Sequence, residues 1–123
     1  MSFIDYQNRK PIYEQIVERF QMLIIKGVME PDTKMPSVRS LAADLSINPN
    51  TIQKAYTILE QQGYIYPVKG RGNFVSDSGN LLEKKKNLFL EKVRGVLTEG
   101  REIGITKEEY QTLLERIYKE GIE

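Results

Sequence analysis

Only two residues, Ser46 and Ile47, separate two short stretches whose apolar residues recur at helical spacing. Val38, Leu41, Ala42 and Leu45 precede them; Ile52, Ala55, Tyr56 and Leu59 follow. A gap this short makes a helix-turn-helix with a tight turn. The ends are marked as well. Pro31 and Pro36 forbid a continued helix upstream, and Ser37 can cap the first of the pair. Asn48 is a good N-cap for the second helix, Pro49 fits its first turn, and Gly63 sits where the chain should leave it.

The flanks complete a pattern. Residues 11–26 read as a preceding helix, with Pro11 at the start, Ile12, Ile16, Val17, Phe20, Leu23 and Ile24 on one face, and Gly27 as the stop. After Gly63, the segment YIYPVKGRGNFVSD changes to strand-like character around the turn signal K-G-R-G, so a β-hairpin is expected. Pro67 cannot donate to a ladder and implies an edge position. Tyr56, Tyr64, Tyr66 and Phe74 are assigned to packing, not to base stacking. Three helices followed by a hairpin is the winged-helix order, a mainly α (α+β) class.

Past Asp77 the composition shifts. SDSGN resembles a linker. Leu82, Phe89, Val93 and Leu97 then mark one helix, with Gly100 and Gly104 expected to break it. Thr106 and Glu109 form a capping box for another helix, and Ile105 and Tyr110 a hydrophobic staple. Tyr110, Leu113, Leu114, Ile117 and Tyr118 share one face of that last helix. The division expected is a winged helix-turn-helix domain over 1–77 and a two-helix dimerisation region over 78–123. Two short helices cannot bury both stripes against each other and remain stable alone, so these nine residues are expected to meet a second copy. Such a hairpin also leaves little room for the ~300 Å³ pocket a drug-sized ligand prefers.

What the chain lacks narrows its chemistry. With no cysteine, it has no disulfide framework, thiolate nucleophile or Cys-based zinc site. With no histidine, it lacks the usual general base and the commonest metal ligand. No pair of acids is spaced as a catalytic constellation, so neither an enzyme nor a cofactor is expected. No apolar run reaches the ~18 residues of a membrane span, and the first ten residues lack a signal-peptide core. A soluble, cytoplasmic protein is the expectation.

The second helix of the pair carries the most telling surface. Opposite its apolar stripe stand Asn50, Gln53, Lys54 and Thr57, all hydrogen-bonding or cationic, and no acid occurs between Asp44 and Glu60. Asn and Gln can pair in bidentate fashion with adenine, and Thr can meet a base edge or a thymine methyl. Residues 34–76 hold five basic residues against two acidic ones, a net +3 in a chain whose total is +1. Charge is therefore concentrated on the elements that would face a polyanion.

The run from Lys34 to Val75, with P-S-V-R-S-L-A, N-T-x-x-K-A-Y, L-E-x-x-G and G-R-G-x-F-V in that order, resembles the DNA-binding domain of the GntR family of bacterial transcription regulators. The N-P-N-T variant and short C-terminal region are similar to the YtrA type. The resemblance implies a dimeric repressor of double-stranded DNA that reads an inverted repeat. Ser37 and Arg39 then fall at DNA-contact positions of the second helix. Asn48, Asn50 and Thr51 match the start of the recognition helix, and Gln53 matches a further base-reading position, with Lys54 beside it. Lys69, Gly70, Arg71 and Gly72 match a wing tip that reaches the minor groove. Pro49 and Gln53 replace arginines of several relatives, which removes arginine–guanine readout there. The alternative is a winged-helix module for protein–protein contact or RNA binding, against which the acid-free face and basic wing argue.

Overall fold

Glycine and serine end the first three helices in the same way, and these stops set the architecture. A computed structural model describes residues 3–77 and 79–121. Its elements run α1 (Ile12–Ile25), α2 (Val38–Leu45), α3 (Pro49–Gln61), β1 (Ile65–Val68), β2 (Gly72–Val75), α4 (Leu81–Glu102) and α5 (Lys107–Glu120). Gly27, Ser46 and Gly63 each adopt the left-handed conformation after a helix. At α2 the Ile47 amide donates to Ala42 O and the Ser46 amide to Ala43 O; at α3 Tyr64 donates to Leu59 O and Gly63 to Glu60 O. These are paired Schellman bonds, which satisfy carbonyls the helix cannot. Ser46 accepts a conformation that costs a side-chain-bearing residue energy, and so turns α2 into α3 within two residues.

The face expected to be core on α3 is core. Ile52, Ala55 and Leu59 are fully buried and Tyr56 nearly so, packed with Ile16, Val17, Phe20 and Ile24 of α1 and with Leu41 and Ala42 of α2. Fully burying each large apolar side chain is worth about 1.5–3 kcal/mol. Phe20 meets Tyr56 edge-on at 5.9 Å between ring centroids, a preferred aromatic geometry. One buried polar residue was not expected: Gln21 donates from Nε2 to Gln62 Oε1 at 2.7 Å, tying α1 to the end of α3.

The hairpin forms as expected, with antiparallel pairs Ile65↔Val75, Tyr66↔Phe74, Pro67↔Asn73 and Val68↔Gly72. Sequence reasoning missed a third pairing. Residues 32–35 run along the free side of β2, with Asp32 N donating to Val75 O, Val75 N to Thr33 O and Met35 N to Asn73 O. β1, which carries Pro67, is therefore the outer strand, where the missing amide matters least. The Tyr66 hydroxyl donates to Asp32 Oδ1 at 2.6 Å and anchors this added segment.

The chain divides into two compact units, Met1–Glu83 and Lys84–Glu123. Leu81 belongs to the first unit's core, with a methyl against Gly63. In the second unit the expected break at Gly100 is absent. α4 runs through Gly95 and Gly100 to Glu102, and the left-handed Gly104 ends the helical run, with Ile105 N donating to Gly100 O and Gly104 N to Arg101 O. Gly100 is tolerated because Tyr110 and Ile105 of the following segment close over it, where a side chain would collide. The Thr106–Glu109 capping box forms, and Tyr110 donates from its hydroxyl to Leu97 O at 2.7 Å. The hairpin carries an open groove of about 470 Å³ lined by Leu90, Val93, Arg94, Leu97, Thr98, Arg101, Ile105, Lys107 and Tyr110, a largely open surface and not an enclosed pocket. No helix among the described residues is long and apolar enough to cross a membrane.

Candidate nucleic-acid interface

α3 starts cleanly because Asn48 Oδ1 accepts from the Asn50 amide at 2.8 Å and Pro49 occupies the first helical position. The helix dipole leaves positive potential at that end, with no acid in the first turn to cancel it. From there Asn50, Gln53, Lys54 and Thr57 are all exposed, whereas Thr51 is half-buried beside the core face. Gln53 Nε2 donates to Thr57 Oγ1 at 3.3 Å, a single long bond that leaves its carbonyl free to accept. Asn48 spends its oxygen on the cap and keeps its amide protons for another partner.

α2 lies one turn away. Ser37 Oγ accepts from Ser40 N at 3.1 Å, so this hydroxyl oxygen serves as a cap. Arg39, two residues on, is exposed. The start of α2 is pinned to α3 by Tyr56, whose hydroxyl donates to Pro36 O at 2.7 Å. Burial pushes the Tyr56 phenol well above its usual range, so it remains a donor.

The hairpin loop presents Lys69, Gly70 and Arg71, all exposed, and Arg71 N donates to Val68 O to close the turn. Gly70 and Gly72 have φ of 76° and 102°, values that side-chain-bearing residues adopt only with strain. Both glycines therefore set the loop's shape and leave two cations at its tip. Among the described residues, Arg39, Lys54, Lys69 and Arg71 make no ion pair with a carboxylate, whereas Lys10 is paired with Glu18. Their charge stays available to a polyanion. Lys54 alone is held by a neighbour: its ammonium lies 3.9 Å from the Tyr13 ring centroid.

The nine residues assigned to dimerisation all lie on α4 and α5. Leu82, Phe89, Leu97, Leu113, Leu114, Ile117 and Tyr118 are exposed, Val93 and Tyr110 half-buried, and none of the described residues of α5 is buried. Tyr110 differs from the rest because its hydroxyl is used within the hairpin.

Three helices with a tight turn between the second and third, followed by a two-stranded hairpin with a basic tip, define a winged helix-turn-helix protein. The model of the gntR family of bacterial regulatory proteins matches residues 12–75, and the chain belongs to that family. It is 36% identical over 119 residues to the HTH-type transcriptional repressor YtrA of Bacillus subtilis, covering 95% of this chain and 92% of that protein. Among solved structures it resembles a GntR family transcriptional regulator from Listeria monocytogenes, with a TM-score of 0.69, 34% identity, and coverage of 92% of this chain and 98% of that one. It also matches AraR(DBD) in complex with operator ORR3, with a TM-score of 0.53 and 33% identity, covering 59% of this chain and 88% of that one. The protein is thus a transcription regulator of the YtrA-like type and not an enzyme.

Proposed function

We propose that the chain acts in the cytoplasm as a homodimeric repressor that binds an inverted-repeat operator in double-stranded DNA. The acid-free, exposed face of α3 carries the reading. α3 enters the major groove, where Asn50, Thr51 and Gln53 meet base edges and the capped start of the helix approaches a phosphate. Arg39 and Lys54 contact the sugar-phosphate backbone on either side. Lys69 and Arg71 reach an adjacent minor groove at the tip of the wing, with Gly70 and Gly72 permitting the close approach. Ser37 acts through its cap, by fixing where α2 begins. YtrA is named a repressor and AraR(DBD) was solved on an operator, which supports both the role and the ligand.

The dimer half of the proposal rests on α5, a 14-residue helix with an apolar stripe and no buried residue among those described. Leu113, Leu114 and Ile117, each about half exposed, find a surface on the two-fold partner, together with Leu82, Phe89, Val93 and Leu97 of α4. Two-fold pairing then presents two recognition helices to two half-sites. Residues 1–77 serve as the DNA-binding domain and 78–123 as the dimerisation region, with Leu81 shared by the former's core.

Selection of bound duplexes from a random pool tests this directly. The expected product is a palindrome whose half-site centres lie about 10–10.5 base pairs, or a multiple of that, apart. Enrichment of a single unrepeated site, or no enrichment, would overturn the dimeric operator.

A further inference from the structure

Lys54 differs from the other cations of the interface. Arg39, Lys69 and Arg71 project from the surface, whereas the Lys54 ammonium sits 3.9 Å from the centroid of the Tyr13 ring, well inside cation–π range. Lys54 belongs to the second turn of α3, and Tyr13 to the first turn of α1. The ring is half-buried and packs against the hydrophobic core, so its position is set by the fold.

The geometry points to Tyr13 as a positioning residue for Lys54: the ring fixes the lysine's long stem beside α3 before DNA arrives, without neutralising its charge. This rests on the reading that Lys54 meets the DNA backbone.

A carboxylate could also hold a lysine, but it would compete with phosphate and cancel the charge that attracts it. An aromatic face does neither. It is attracted to the cation by its quadrupole, and it leaves the ammonium hydrogens free on the side away from the ring. A free lysine carries some of the largest side-chain entropy of any residue, and binding must remove it. Ordering the stem in advance removes part of that cost from the binding step. The phenolic oxygen is not needed, because its hydrogen bond among the described residues is a long 3.4 Å one to Glu14 Oε1.

Titration of the full chain with the selected operator tests this over a range of salt, with wild type, Tyr13→Leu, Tyr13→Phe, Lys54→Met and the double variant Tyr13→Leu/Lys54→Met. Tyr13→Leu should weaken binding about three- to ten-fold and leave the salt slope unchanged, because no charge is lost. Tyr13→Phe should bind as wild type. Lys54→Met should lower the slope by about one unit, and adding Tyr13→Leu to it should cost nothing more. An equal loss from Tyr13→Leu in both backgrounds means that the ring acts through the fold alone, and overturns the proposal. If Lys54→Met changes neither affinity nor slope, the backbone contact of Lys54 fails and takes the proposal with it, while base reading by Thr51 and Gln53 stands. A second measurement uses only wild type: the Lys54 ε-methylene protons should show upfield ring-current shifts in free protein and in complex. Unshifted resonances in the free protein overturn the proposal even if Tyr13→Leu does not fold.

Discussion

The Tyr56 hydroxyl, on the buried side of α3, donates a 2.7 Å hydrogen bond to the carbonyl of Pro36, the residue just before the cap of α2. One side chain thereby fills the core and fixes where α2 starts. Tyr56→Phe keeps the ring and leaves the carbonyl without this partner. The expected loss is about 1 kcal/mol, read from urea denaturation.

The burial of the same hydroxyl gives stability a pH dependence. Burial raises the Tyr56 phenol above its ordinary value, and Tyr64 is raised for the same reason. The folded state then holds its proton where the unfolded chain, ionising near pH ~10, has lost it. The contribution is fully present below pH ~10 and falls as pH rises beyond that. Denaturation at pH 8 and pH 11 should show a drop that is smaller in Tyr56→Phe than in wild type.

Gly95 and Gly100 lie in one helix and should respond oppositely to alanine. Gly95 has open space where a Cβ would go, so Gly95→Ala should stabilise by about 0.5–1 kcal/mol through helix propensity. At Gly100 a Cβ would collide with the Tyr110 hydroxyl and crowd Ile105. Gly100→Ala should displace the bond from Tyr110 to Leu97 O and destabilise the hairpin despite its better propensity. Thermal melts of both variants decide this.

Truncation separates the two units. A chain ending at Glu83 should fold as a monomer, lose most affinity for the full inverted repeat and keep weak half-site binding. A chain ending at residue 77 also lacks Leu81, which is 5% exposed in the core. It should be less stable by about 1.5–3 kcal/mol. Sedimentation and chemical denaturation of both chains give the answer, and a full-length protein that is monomeric at micromolar concentration would refute the dimer.

How much was legible in the sequence depended on how local the cause was. The α3 face could be read because Asn48, Pro49 and Gly63 punctuate it and its apolar residues keep one period. The hairpin could be read because K-G-R-G is a local turn signal. Gly100 was misread as a break because its cost in a helix is local, whereas what accommodates it is Tyr110 of the next helix. The strand-like pairing of residues 32–35 had no signal in P-D-T-K-M-P, since its partners lie on β2. Leu81 looked like the far side of a linker because its contact is with Gly63. The same limit hid Lys54 on Tyr13 and Gln21 on Gln62: each pair joins α1 to α3 or its end, and neither residue betrays its partner.

In the proposed complex α3 reads bases, while the wing grips an adjacent minor groove chiefly through its charge. The most direct measurement of this division is the affinity of four single variants for the selected operator and for a random duplex of equal length. Thr51→Ala and Gln53→Ala should each cost ~1–3 kcal/mol on the operator and far less on random DNA. Lys69→Ala and Arg71→Ala should weaken both duplexes and lower the salt slope by about one unit each. Equal losses on the two duplexes for Thr51→Ala and Gln53→Ala would contradict base reading by α3.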